Sequence, residues 1–186
     1  KEHDITYVDL RFTDIAGKMQ HVTQHIDTID EDALTEGFMF DGSSIAGWKA
    51  INESDMTLMP DLYRAYVDPF FAQPTLALFC DVLEPSSGEA YDRDPRGTAK
   101  AAIAHIETLG IADTAFFGPE AEFFIFEDVK IDVSMNRGLY SVDSVEGPYN
   151  SARKYGEGNL GHRPGVKGGY FPVPPVDSGQ DIRSEM

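Results

Sequence analysis

Apolar residues recur at every second position through Val8, Leu10 and Phe12 in the run from Ile5 to Phe12, which breaks at Asp14-Ile15-Ala16-Gly17-Lys18 before Met19 to Thr23 continues it. A period of two on both sides of a glycine-containing turn predicts a β-hairpin. A short helix is predicted from Asp30 to Glu36. Acidic residues open it, where they complement the helix dipole, and Gly37 closes it in the left-handed position that favours glycine. The apolar runs Met56 to Met59 and Thr75 to Leu83 predict two more strands, with Pro60, Pro69 and Pro74 marking turns. Glu84-Pro85-Ser86-Ser87-Gly88 reads as a boundary. Past Asp92 a second helix is signed by Asp94 as N-cap, Pro95 in the first turn and Gly110 as stop; Ala99, Ala102, Ile103, Ile106 and Leu109 recur at helical spacing, so one face should pack. From Gly156 to Pro175 glycine and proline predominate, as in an ordered loop or a linker.

One stretch breaks the pattern in a chemically pointed way. Phe116-Phe117-Gly118-Pro119-Glu120-Ala121-Glu122-Phe123-Phe124-Ile125-Phe126 reads as a buried strand that carries two carboxylates. Burying an unpaired carboxylate costs several kcal/mol or more. Residues i and i+2 of a strand share a face about 6.6 Å apart, so Glu120 and Glu122 offer two like-charged oxygen donors on one wall. Hard divalent cations such as Mg²⁺ or Mn²⁺ suit such a donor set. The plainer alternative is a solvated Glu-x-Glu on an edge strand, a position that Pro119 itself favours; the dense aromatic setting favours metal.

Composition narrows the partners. The chain has 186 residues, 41% of them hydrophobic and 11% aromatic, enough for a core, with a formal net charge of −17. Such an acidic chain is a poor match for nucleic acid or an anionic membrane and a good one for cations. No apolar run approaches about 18 residues, and no signal-peptide pattern opens the chain. Cys80 is the only cysteine, which forbids an internal disulfide and points to a reducing, cytoplasmic setting. It lies in the strand-like run Thr75 to Leu83, as a buried structural thiol would. The chain opens at Lys1 and stops at Glu185-Met186 with no closing element, and so reads as a piece of something longer.

Several motif-like strings lack their context. Gly156-Glu157-Gly158-Asn159-Leu160-Gly161 satisfies G-x-G-x-x-G, but no strand precedes it and no helix follows. Gly42-Ser43-Ser44-Ile45-Ala46 misses the nucleophile elbow at its last glycine. His3, His21, His25, His105 and His162 are scattered, which argues against zinc, and there is no Walker A string. Two further segments are long without regular pattern. In Phe38 to Trp48, running on to Asn52-Glu53-Ser54-Asp55-Met56, the choice is between a loop pinned to the core by Trp48 and a rigid loop that presents Asp41 as a base or cation binder. Lys167 to Asp177 has the default reading of a proline-rich spacer.

Phe40 to Trp48 with Asn52-Glu53-Ser54-Asp55, Gly118 to Phe124, and Lys167 to Met186, taken in that order, resemble glutamine synthetase of the bacterial type I class. Ala46 and Ala121 depart from the glycine and proline that relatives often carry there. The resemblance implies an α+β fold: an N-terminal β-grasp domain over residues 1–93, then the incomplete beginning of a catalytic domain with an antiparallel sheet over 94–186. It implies ATP-dependent ligation of ammonia to glutamate through a γ-glutamyl phosphate, with ATP as co-substrate and two or more Mg²⁺ or Mn²⁺ ions per site. By the same comparison Glu120 and Glu122 would be metal ligands, and Asp41 the acid that binds ammonium and removes its proton. Ser44 and Tyr170 would be further walls of that ammonium pocket. It also implies a homo-oligomer, the family's double-ring dodecamer, in which Asp41 acts in the neighbouring subunit's site. A non-catalytic subunit that binds an intact synthetase and a simple cation-binding domain are the alternatives.

Overall fold

The structure, a computed structural model, describes residues 4–147, 149–151, 153, 156 and 163–186, and divides into two compact units, residues 1–117 and 118–186. The string Gly156 to Gly161 lies outside the described residues except for Gly156, as do His3 and His162.

In the first unit the predicted hairpin forms from β1 (Tyr7–Thr13) and β2 (Met19–His25), in antiparallel register with Leu10 opposite Val22. Helix α1 (Glu31–Glu36) follows; the Asp30 side chain accepts from Ala33 N, and Gly37 closes the helix at φ 88. Strands β3 (Phe38–Asp41), β4 (Asp55–Val67) and β5 (Thr75–Leu83) complete a five-stranded sheet in the order β2-β1-β5-β4-β3. Only β1 and β5 pair in parallel. Val8, Leu10, Phe12, Met56, Leu58, Leu78, Cys80 and Val82 point to one side and form the core, joined by Trp48 and Tyr91, with Leu34 of α1 packed against it. Cys80 is buried, and burial, the largest influence on its thiol, pushes its pKa up to about 12.

The opposite face of the hairpin holds a charged network. Asp9, 1% exposed, accepts from Arg11 Nε at 2.7 Å and Thr23 Oγ1 at 2.7 Å, and lies 2.6 Å from His21 Nδ1. Arg11 also reaches Asp68 at 2.6 Å. Burial is the largest single influence on the Asp9 carboxyl and raises it, but the hydrogen bonds from Arg11, Thr23 and His21 together outweigh it and hold the carboxyl below its ordinary value. The Phe70 backbone N–H, then Arg11, lower Asp68 in the same way. A carboxyl with a depressed folded pKa adds stability that is present above its unfolded value and lost as pH falls through the folded one. Urea midpoints should therefore stay level from about pH 7 to about pH 5 and fall below about pH 4. Asp9→Asn should flatten that acid limb, and an unchanged limb would refute the assignment.

Three expectations need correction. Pro60 does not end its strand: β4 runs through it, with a register shift between Pro60 and Ala65, because a residue without an N–H is tolerated where the ladder is interrupted. The helix signed by Asp94 forms as α2 (Pro95–Thr108), but buries none of its residues, and Ile103 and Leu109 are exposed. It is held to the sheet by its charged N-terminal side instead: Arg96 Nε donates to Asp81 Oδ1 at 2.7 Å, Arg96 also pairs with Asp61, and Lys100 pairs with Asp81. The third concerns the second unit. Residues 116–126 form no strand; Phe116, Phe117 and Phe124 are exposed, and Glu120 and Glu122 with them. A strand needs a ladder partner, and the two strands described in this unit, β6 (Asp128–Ser134) and β7 (Arg137–Asp143), pair with each other. A short helix, α3 (Gln180–Glu185), lies near the end of the chain.

Candidate active site

Asp41 ends β3 at the edge of the sheet, opposite Asp55 of β4. There the chain must turn past Met56, which is fully buried, and a Cβ on Gly42 would stand 2.3 Å from its Sδ and 2.7 Å from its Cγ. Glycine lets the turn come close enough for Gly42 N to donate to Ser54 O at 2.7 Å. The Asp41 side chain then caps the following 3-10 turn, Gly42–Ser44. Its Oδ1 accepts from Ser43 N at 2.8 Å and from Ser43 Oγ at 2.6 Å, Oδ2 accepts a long bond from Ser44 Oγ, 3.4 Å, and the Ser54 hydroxyl also favours the charged carboxylate. The Ser43 hydroxyl, then its N–H, hold the Asp41 carboxyl below its ordinary value. The result is an exposed carboxylate attended by the hydroxyls of Ser43, Ser44 and Ser54, a good seat for a small cation and a weak base.

The loop that follows is both pinned and presenting. Trp48 is buried against Phe12 at 5.5 Å, Phe40 at 6.3 Å and Tyr91 at 5.3 Å between ring centroids. The two readings left open by the sequence are therefore compatible. Ser43, which dominates the setting of Asp41, escaped the sequence reading; the signal for it was the Asp-x-Ser spacing of a side-chain-capped turn.

Glu120, Glu122 and Tyr170 belong to the second unit. Among the described residues neither glutamate has a hydrogen-bond or ion-pair partner. Glu122 lines an open cavity of about 440 Å³ with Phe123, Phe124, Pro172, Asp177 and Arg183; Glu120 and Tyr170 do not line it. Arg183 is the chief cause that holds the Asp177 carboxyl below its ordinary value. Tyr170 is exposed and meets Phe171 edge-on at 4.5 Å. No group of three or more His, Cys, Asp or Glu side chains able to hold a metal occurs among the described residues. The two glutamates fit part of a hard-cation site, since both are exposed carboxyl oxygen donors with no partner among the described residues.

Two family models match in sequence. The model for the glutamine synthetase beta-Grasp domain covers residues 4–85, and that for the glutamine synthetase catalytic domain covers residues 92–186. The chain belongs to the glutamine synthetase family. It is 66% identical over 186 residues to the glutamine synthetase of Azospirillum brasilense and 63% identical to that of Rhizobium meliloti (strain 1021). Each match takes in 100% of this chain and 40% of the relative, so the chain spans 40% of the length of these relatives. Among solved structures, a cryo-EM structure of Plasmodium falciparum glutamine synthetase superposes with a TM-score of 0.75 at 23% identity, covering 100% of this chain and 36% of that one. A GmaS/ADP complex gives 0.52 at 22% identity over 58% of this chain and 24% of that one. These likenesses bear on the fold, and agree with a β-grasp domain followed by part of a glutamine-synthetase-type catalytic domain. No helix among the described residues is long and apolar enough to cross a membrane.

Proposed function

We propose that the complete protein is a glutamate–ammonia ligase. In this reading ATP passes its terminal phosphoryl group to the side-chain carboxylate of glutamate, and ammonia then displaces phosphate from the acyl phosphate to give glutamine. The observation that carries it is the run of two glutamine synthetase family matches across both halves of the chain. Glu122 and Glu120 would hold two divalent cations, Mg²⁺ or Mn²⁺, which when bound neutralise charge on the phosphates. Asp41, with Ser44 and Tyr170, would bind ammonium. The exposure of Asp41 supports that role, and its lowered pKa keeps the charge that attracts the cation. The domain boundary proposed is 93/94, two residues into the catalytic-domain match that begins at 92, whereas the compact units of the fold divide at 117/118. The assembly proposed is a cytoplasmic, double-ring dodecamer, with each site completed by Asp41 of a neighbouring subunit.

The test is glutamine formation by the complete protein from glutamate, ATP and ammonium with Mg²⁺ or Mn²⁺. Asp41→Ala should lower kcat/KM for ammonium by about a hundredfold, some 2.7 kcal/mol of transition-state stabilisation, with KM for ATP nearly unchanged. Undiminished use of ammonium by that variant would remove Asp41 from the site.

A further inference from the structure

Between β5 and α2 runs a connector, residues 84–94, whose end is fastened at a single residue of the sheet. Tyr91 N donates to Val82 O at 2.8 Å, and Val82 N donates to Asp94 Oδ2 at 3.1 Å. From that anchor two side chains reach back to the loop after Asp41. The Tyr91 ring meets the Trp48 indole edge-on. The Arg93 guanidinium donates through Nη1 to the Gly47 carbonyl and, at 3.3 Å, to the Trp48 carbonyl.

These contacts join others between the same two segments: Lys49, the next residue of the loop, pairs with Glu84 and lies 5.2 Å over the Tyr91 ring. The buried Trp48 indole N–H has no partner among the described residues, so ring contacts alone hold that side chain. Such contacts fix depth in the core more firmly than they fix direction. Direction comes from the backbone, through a relay of single bonds: Trp48 N to Ile45 O at 3.2 Å, Ile45 N to Gly42 O at 3.2 Å, and Gly42 N to Ser54 O at 2.7 Å, which ends beside Asp41. Arg93 grips the far end of that relay. Both of its bonds leave Nη1, so one always-charged guanidinium holds two adjacent carbonyls at once.

We infer that Arg93 is a positioning residue for Asp41, tying the segment that leads into α2 to the loop that presents the site's carboxylate. The inference rests on the reading of Asp41 as an ammonium ligand. It names a residue outside the loop whose only described hydrogen-bond partners are the Gly47 and Trp48 carbonyls.

Arg93→Ala and Arg93→Lys in the complete protein test it. Because Arg93 is exposed, the alanine variant should still fold. The expected result is an ammonium KM raised by about tenfold in Arg93→Ala, with KM for ATP and glutamate within about twofold, and partial recovery in Arg93→Lys. Hydrogen exchange of peptides spanning 42–54 should accelerate by about tenfold, with those spanning 75–83 unaffected. An unchanged ammonium KM, or a parallel rise in all three KM values, would overturn the inference. Faster exchange with an unchanged ammonium KM would do so while leaving the reading of Asp41 intact. A wild-type enzyme indifferent to ammonium would overturn that reading, and the inference with it.

Discussion

Replacing Glu122 by alanine in the complete protein is expected to reduce Mg²⁺- or Mn²⁺-dependent glutamine formation by about a thousandfold or more. That corresponds to about 4 kcal/mol of lost transition-state stabilisation, the scale on which a charge-neutralising cation acts in phosphoryl transfer. The same substitution should leave folding almost untouched. Glu122 is exposed and unpartnered among the described residues, and surface changes of that kind usually stay within about 0.5 kcal/mol. The pairing of a large catalytic effect with an unmoved urea midpoint is what separates a ligand from a structural carboxylate. Glu122→Asp, which keeps the charge but shortens the reach, should fall between wild type and alanine and need more cation for half-maximal rate. Wild-type turnover in Glu122→Ala would end its assignment as a ligand.

The largest effect on stability should come from Asp94→Ala. Asp94 is fully buried; Oδ1 accepts from Arg96 N at 3.0 Å to cap α2, and Oδ2 accepts from Val82 N at 3.1 Å in β5. Alanine removes the cap, worth about 1 kcal/mol. It also leaves a buried strand N–H without a partner, which costs about 1–3 kcal/mol. A loss of about 2–4 kcal/mol is a large part of the 5–15 kcal/mol typical of a folded domain. Since α2 buries no side chain of its own, the loss should appear as detachment of the helix before the sheet melts. Amide exchange would rise first over residues 95–108. A change under about 0.5 kcal/mol would show that water replaces both bonds.

What the sequence revealed follows how local the determining forces are. The β1–β2 hairpin, α1 with its Asp30 and Gly37 caps, β5 and the start of α2 were legible because their signals lie within a few residues of the structure they specify. Strand β3 was hidden inside a stretch read as loop, since four residues at a sheet edge carry too little pattern to stand out. Strand β4 was cut short at Pro60, where a proline rule met a bulge that suspends it. The β6–β7 hairpin was missed altogether.

The greasy run around Glu120 and Glu122 shows the limit more sharply. Its composition fits a buried strand, but burial is a property of what lies opposite, and no described residue supplies a strand partner there. For the site, Asp41 stood out from its aromatic surroundings and Ser44 by resemblance, and the two are brought together in the first unit; the hydroxyl that fixes Asp41, from Ser43, was signalled only by an Asp-x-Ser spacing that went unread.

The burial of Cys80 makes this stretch of chain a silent background for covalent labelling. With its thiol pushed up to about 12, only about one molecule in ten thousand carries the reactive thiolate at about pH 8. A cysteine introduced at an exposed site, such as Met39 on the outer side of β3, would be alkylated essentially alone within these residues. A dye or spin label attached there would sit two residues from Asp41 and could follow that strand's edge in solution without any native thiol having to be removed.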